Sequence, residues 1–350
     1  MQDNKHFVHN LRRVTGLTTE VIPLSTKLIL EQAEALGVTW KSIPGTRILE
    51  LTYNNTKKYF RYQISSETTD VGFSACLDKG TTNSLLRDAG VHVANGFKIE
   101  RTDSEAYWME VFEALQKPVV VKPSHGLQGK AIMMNVSDET RYRAAIKQAM
   151  EFSTEDDSGV IVEEQFSGKE YRVLTTREKV VGIIHRIPAN VKGDGVSTVQ
   201  QLIDAKNSDP RRGKTLDFAL FIIEIDADLL ENLKKQNLTL ESVPTARQHV
   251  QLRSVSNIMQ GGDSIDMTDL VHPSVKEIAV QAVNAIPGLG FAGVDFMSTD
   301  ITTAQTPDTY IIVEINSSPG LCIHEFPYEG QRRYTDREFV YVMFPELKKV

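Results

Sequence analysis

The sequence predicts an α+β fold built as subdomains around a cleft, and three observations carry that expectation. Short β-rich runs are mixed with helical stretches, without the regular strand–helix–strand repeat of a parallel sheet. The chain has 350 residues, too many for one small core and suited to two or three packed subdomains. Two late apolar runs, FAGVDFMS at 291–298 and YIIVEINSSPG at 310–320, carry acidic side chains inside what should be buried strands. An acid placed there is costly unless a metal or a cation offsets it.

The elements follow in order. The first part, residues 1–76, reads as a helix over 26–36, capped by Ser25 and closed by Gly37. Strands near 47–51 and 59–64 come next, separated by the turn residues Asn54 and Asn55. The central part, 77–165, opens with LDKGT at 77–81, which leads a helix that Gly90 ends. It continues through the β-branched run PVVVKP (118–123), the small-residue loop SHGLQGKA (124–131), a further strand, a helix over 139–152 and the strand of VIVEEQF (160–166). The polar STEDDSG at 153–159 reads as a surface connection. The third part, 166–350, holds strands at 171–175 and 179–185, then a long polar stretch with a loop at Gly261 and Gly262. A helix over 273–286 and the two acidic strands, joined by a loop at 298–308, follow. There is no internal repeat.

Composition narrows the function classes. Hydrophobic residues make up 41%, an ordinary globular value, and 39 basic against 46 acidic residues give a net charge of -7. That balance disfavours a broad nucleic-acid surface, and pairs such as Arg211 with Arg212 and Arg332 with Arg333 are local clusters. Two cysteines, Cys76 and Cys322, cannot make a disulfide framework and fit a reducing compartment; Cys322, near the acidic strands, reads as a small buried filler, with a reactive thiol as the alternative. The start, MQDNKHFVHNLRR, lacks the apolar core of a signal peptide. No run approaches the roughly 20 apolar residues that span a bilayer. The expectation is a soluble, cytoplasmic protein with no membrane or nucleic-acid partner; a homodimer is compatible with it.

Side-chain alternation puts Glu314 and Asn316 on one face of their strand, and Asp295 stands on the other acidic strand. Three oxygen donors on two adjacent strands suit a hard divalent cation that holds a nucleotide phosphate. The loop after PVVVKP, with Gly126, Gly129 and Lys130, is built so that backbone N–H groups can approach phosphates closely. Arg172 and Arg186 lie in otherwise apolar strands, and guanidinium suits two-point recognition of carboxylate or phosphate. Plainer readings stand beside these: an edge-strand lysine at Lys122, a solvated helix start at Lys79, a hairpin turn at 124–130, a solvated strand end at Glu163, Glu164 and Glu170, and surface-facing arginines. His185, His272 and His324 have no metal-ligand spacing.

In this order the segments resemble the ATP-grasp ligases. PVVVKP, SHGLQGKA and VIVEEQFSGKEYR carry the resemblance, with HRIPANVKGDGVSTVQQLID (185–204), NSDPRRG (207–213), SIDMTDLVHPSV (264–275) and EINSSPGLCIHEFP (314–327). Within that family the match is to the ATP-grasp portions of cyanophycin synthetases and bifunctional glutathione synthetases, from about residue 25 almost to the C-terminus. The Mur-ligase-like domain of the cyanophycin synthetases has no counterpart in these residues, so alternating addition of two amino acids is not expected.

The resemblance implies an ATP-grasp fold, two α+β subdomains clasping ATP plus an N-terminal subdomain, and it implies roles. Lys79 and Lys122 reach the nucleotide phosphates, with the loop of Ser124, Gly126, Gly129 and Lys130 closing over them. Glu163, Glu164 and Phe166 read adenine, and Glu170 binds the ribose. Asp295, Glu314 and Asn316 hold magnesium, with manganese as the alternative ion. Arg186 serves phosphate transfer or the developing acyl phosphate, and Arg172 anchors substrate or nucleotide. Asn316, Ser318 and Gly320 hold a substrate carboxylate. The implied activity is ATP-dependent ligation of a carboxylate to an amine through an acyl phosphate, on amino acids or a short peptide, releasing ADP and phosphate. Two other readings stay open: an ATP-grasp kinase or acyl-carrier acylating enzyme, and a nucleotide-binding module without catalysis.

Overall fold

A computed structural model describes residues 22–125, 131–152 and 159–349. The start of the chain, the loop residues Gly126, Gly129 and Lys130, and most of STEDDSG lie outside the described residues. Helices and mostly antiparallel strands divide into two units interleaved along the chain. One holds 1–67, 181–269 and 318–350; the other holds 68–180 and 270–317.

In the second unit, alternation along the sequence becomes a two-faced sheet. Strands Gly96–Ile99, Val160–Glu164, Val119–Pro123 and Met133–Val136 lie side by side in that order, all antiparallel. Val119, Val121, Val160, Val162 and Ile99 pack on one face against helices Glu105–Ala114 and Glu139–Phe152, where the Phe112 and Tyr142 rings stack at 4.4 Å. The residues between them, Lys98, Val120, Lys122, Ile161 and Glu163, therefore share the opposite face. The helix over 139–152 and the strands at 118–123 and 160–166 fall where the sequence puts them. The helix Glu105–Ala114 was not expected, although Ser104 caps it by accepting from Tyr107 N at 3.2 Å.

The same unit contains a second ladder, Lys169–Thr176 beside Phe291–Ser298 beside Tyr310–Asn316, again antiparallel. Helix Pro273–Ala285 packs on it, started by His272 and by proline in its first turn. Two short helices, Asp70–Leu77 and Lys79–Asp88, rest against Tyr310–Asn316. Asp78 ends the first and caps the second, its Oδ1 accepting from Gly80 N at 2.7 Å and Thr81 N at 3.1 Å. Gly90, at φ +74°, closes the second as expected.

The other unit begins with helix Leu24–Ala35 and an antiparallel meander of Thr39–Ser42, Leu49–Tyr53, Thr56–Arg61 and Ile64–Ser65. Asn54 and Asn55 both take positive φ, the geometry of a two-residue hairpin turn. Tyr62, also at positive φ, splits the single strand expected over 59–64 into two. Ser25 is not the cap. It sits inside the first helical turn, with Oγ 2.9 Å from Cys322 Sγ and accepting from Leu321 N at 3.1 Å, and Pro23 occupies the cap position. The polar stretch after residue 187 folds around its own core, Val191, Ile203, Leu229, Leu233 and Val250. Helices Val199–Asn207 and Ala227–Lys235 there were unexpected; the first carries a reciprocal cap between Thr198 and Gln201.

Helix Thr335–Met343 packs along Leu24–Ala35. Near its start two fully buried carboxylates, Glu325 and Asp336, share the Arg332 guanidinium at 2.5 Å and 2.8 Å. Burial, then the Glu325 charge, pushes the Asp336 carboxyl up to about 7. Glu31, on Leu24–Ala35, is likewise raised by burial, with Arg332 opposing.

Candidate active site

The face of the four-stranded sheet away from its core carries a buried ion pair. Lys122 stands opposite Ile161, and Glu163 stands opposite Val120, so Lys122 and Glu163 are diagonal neighbours on one face. Lys122 Nζ donates to Glu163 Oε1 at 2.5 Å, and Lys122 is only 3% exposed. Removing either charge would leave the other buried and uncompensated. Beside Glu163 opens a cleft of about 420 Å³, lined also by Asp78, Gly80, Asn83, Lys98 and Ile161. Gly96 permits the approach of its strand here: a Cβ on it would lie 2.5 Å from the Val162 carbonyl oxygen and 2.7 Å from Glu163 Cβ.

Ser124 follows the lysine strand, is fully buried, and accepts from Lys79 N through its carbonyl at 3.3 Å. The start of helix Lys79–Asp88 is thereby tied to the mouth of the glycine loop. From that position Lys79 reaches the second ladder, with Nζ 3.9 Å from Glu314 Oε2. Burial lowers the Lys79 ammonium below its ordinary value, and the Glu314 charge works against that. Cys76, nearby, has its thiol pushed up to about 12 by burial and then by Glu314, so it is no nucleophile at neutral pH.

Across the second ladder, Arg172, Asp295 and Glu314 face one another in a single row of three strands. Arg172 Nε donates to Asp295 Oδ1, which gives the buried acid its counter-charge. A bulge follows Asp295, and Asn316, opposite Gly293, donates from Nδ2 to Glu314 Oε1 at 3.1 Å. Two carboxylates and an amide are hard oxygen donors and chemically fit magnesium or manganese. Among the described residues no group of three His, Cys, Asp or Glu side chains is placed to hold a metal ion, so Asp295 and Glu314 would need Asn316 as the third donor.

The remaining expected residues are placed as follows. Glu164 does not face the Lys122 side of the sheet: its Oε1 accepts from Gln116 N at 2.9 Å and from Asn95 Nδ2 at 3.3 Å. Its own N–H donates to the Asn95 carbonyl, and that of Gln165 to the Pro118 carbonyl. The Phe166 ring lies against Gly168, and Glu170 stands opposite Met297, two positions from Arg172 and on the same strand face. Arg186, opposite Ser264, belongs to the other unit, as do Ser318 and Gly320. One unit thus gathers Lys79, Lys122, Ser124, Glu163, Glu164, Phe166, Glu170, Arg172, Asp295, Glu314 and Asn316. Sequence reasoning missed Asp78, whose position before K-G-T is a cap signal, and a pair between Asn135 and Gln165 that no local signal announces.

The family described as carbamoyl-phosphate synthase L chain, ATP binding domain, matches residues 78–259, just over half of the chain. The glutathione biosynthesis bifunctional protein of Clostridium perfringens is 32% identical over 327 residues, 93% of this chain and 41% of that protein. Cyanophycin synthetase of a Nostoc species is 32% identical over 321 residues, 92% of this chain and 35% of that protein. The crystal structure of a bifunctional glutathione synthetase from Pasteurella multocida superposes with a TM-score of 0.74 at 30% identity, covering 93% of this chain and 44% of that one. The chain spans less than half the length of each of these three relatives.

Proposed function

Because this chain belongs to the ATP-grasp family, we propose that it is an ATP- and magnesium-dependent carboxylate–amine ligase. The observation that carries the reading is the approach of Lys79 to Glu314, 3.9 Å apart. It sets a phosphate-type cation beside a metal-type carboxylate, with Asn316 and the Asp295 row next to them and the mouth of the glycine loop at the backbone of Lys79.

In this reading Glu163 and the backbone at 164–166 meet the adenine edge, and Glu170 binds the ribose hydroxyls. Lys79 and Lys122 neutralise phosphate charge, Lys122 answering both Glu163 and the nucleotide. Asp295, Glu314 and Asn316 would hold magnesium, which supplies further charge neutralisation at the phosphates. Positioning and charge neutralisation are most of what phosphoryl transfer needs from a protein. A carboxylate oxygen of the acid attacks the γ-phosphorus, the bond to the ADP oxygen breaks, and an acyl phosphate forms. An amine nitrogen then attacks the acyl carbon, phosphate leaves, and the amine gives up a proton. Arg186 and Arg172 are assigned to the anionic groups of this sequence, and Ser318 and Gly320, with Asn316, to the substrate carboxylate. One relative is named for glutathione biosynthesis and another as a cyanophycin synthetase, and in keeping with those names the acid and amine are assigned as amino acids or a short peptide. Among the described residues no helix is long and apolar enough to cross a membrane, and the site of action is proposed to be the cytoplasm.

The test is ATP turnover across a panel of amino acids and short peptides. ADP and phosphate should appear only when an acid is present, and hydroxylamine should trap the activated acid as a hydroxamate when the amine is withheld. AMP as the sole nucleotide product would refute the acyl-phosphate reading.

A further inference from the structure

We infer that Asn135 and Gln165 form a positioning couple that sets base selectivity at the nucleotide site, an inference that rests on the ligase reading above. Strand Met133–Val136 returns from the glycine loop and pairs with Val119–Pro123. Its register slips: Val119 pairs with Val136 but Val121 pairs with Met133, so one extra residue sits on the returning strand. A bulge of this kind leaves backbone groups without a ladder partner. Here Asn135 lies at the bulge in the left-handed region, at φ +57°, which non-glycine residues rarely occupy and asparagine tolerates best.

The side-chain amide of Gln165 takes the place of the missing ladder partner. Asn135 N donates to Gln165 Oε1 at 2.7 Å, and Gln165 Nε2 donates to Asn135 Oδ1 at 3.0 Å. Both ends of one amide are used, against the backbone and the side chain of a single residue. Gln165 is held from its other side through its own N–H, which donates to the Pro118 carbonyl at 3.0 Å. The preceding Glu164 is tied to Gln116 and Asn95. The segment assigned to the adenine edge is therefore fixed at 164 and 165 by neighbours on both sides. One of those neighbours is the strand returning from the loop assigned to the phosphates. A left-handed residue kept at a bulge beside an assigned site is the pattern of a functional constraint more than of a strand merely being stabilised.

Loss of the couple should loosen the base-reading backbone while leaving the hydrophobic core of the sheet intact. The experiment is calorimetric titration of ATP and of GTP, with magnesium, into the full chain and into Gln165→Ala, Asn135→Gly and Asn135→Asp. Wild type should prefer ATP. Gln165→Ala should weaken ATP by roughly five- to tenfold, because the base-reading backbone must then be ordered on binding, with GTP affinity unchanged, so the preference shrinks. Asn135→Gly keeps the left-handed backbone but removes Oδ1, and should shift the preference in the same direction if Gln165→Ala folds poorly. Asn135→Asp keeps the acceptor and should retain the wild-type preference. A Gln165→Ala or a folded Asn135→Gly variant that selects ATP over GTP as strongly as wild type overturns the inference alone. A wild type that binds neither nucleotide takes down the ligase reading and this inference with it.

Discussion

Replacing Lys122 with methionine separates what the buried pair does for folding from what it does for nucleotide binding. Lys122 is 3% exposed and Glu163 is 7% exposed, so Lys122→Met leaves a mostly buried carboxylate without its counter-charge. Breaking a buried pair from one side typically costs about 3–5 kcal/mol, whereas neutralising both partners is often close to free. In a unit of this size that loss should lower the melting temperature by about 10 °C. Lys122→Met with Glu163→Gln should recover most of it, because the amide leaves no buried charge uncompensated. Affinity for ATP should not recover, since the double variant still lacks the cation assigned to the phosphates. Melting curves and magnesium–ATP titrations on the two variants give both readouts. A Lys122→Met protein that melts with wild type would show that Glu163 is not stranded, and a double variant that binds ATP as wild type does would remove Lys122 from the nucleotide site.

Two further outcomes follow from the geometry. Glu314→Gln removes one metal-type charge and the partner of Lys79, so magnesium-dependent turnover should fall on the order of a hundredfold with little change in melting temperature; near-normal rates at saturating magnesium would sink the metal assignment. In the other unit, Asp336 keeps a proton up to about pH 7 that the unfolded chain releases near its ordinary value of 3.8. Its stabilising contribution is therefore complete below about pH 4 and is lost as pH rises toward 7, at a limiting slope of roughly 1.4 kcal/mol per pH unit. Asp336→Asn, neutral throughout, should flatten the decline in melting temperature between pH 5 and 8, and equal slopes in the two proteins would remove this group from the pH response. The groups that set it are Glu325 on the short helix Cys322–Glu325, Arg332 and the Arg337 N–H at the start of its own helix, and Glu31 on Leu24–Ala35 beside Arg332.

Periodicity made the site-bearing strands legible. The valine run at 119–121 and the run at 160–162 are apolar enough to declare buried strands, and a lysine or glutamate inside such a run announces chemistry. The partnerships were not legible. Lys122 meets Glu163 only because two strands far apart in sequence adopt one register, and Asp295 meets Arg172 by the same kind of pairing. Ser25 looked like a helix cap from its neighbours, but its hydroxyl is taken by Cys322 and Leu321, nearly 300 positions away. The helices Val199–Asn207 and Ala227–Lys235 are short and lie in a polar stretch, but each carries an apolar i, i+4 pair that marks a helical period, Val199 with Ile203 and Leu229 with Leu233. The T-x-x-Q signal at Thr198 and the cap residue Asp226 were further clues.

The interleaving of the two units has a consequence for synthesis on the ribosome. Arg172 emerges 123 residues before Asp295, its partner across the ladder. At ordinary elongation rates that is a wait of roughly 6 to 25 seconds. Throughout it the first-made segment of the unit carries an unanswered guanidinium and an unfilled place for the Phe291–Ser298 strand. The stretch 181–269, made in between, belongs to the other unit and already holds one small core of its own around Val191 and Val250. The nascent chain must therefore keep an incomplete sheet from finding a wrong strand while a later segment is still being translated. A fragment that stops before residue 291 would carry that exposed edge permanently, so the unit of 68–180 and 270–317 can complete its ladder only when both segments are present.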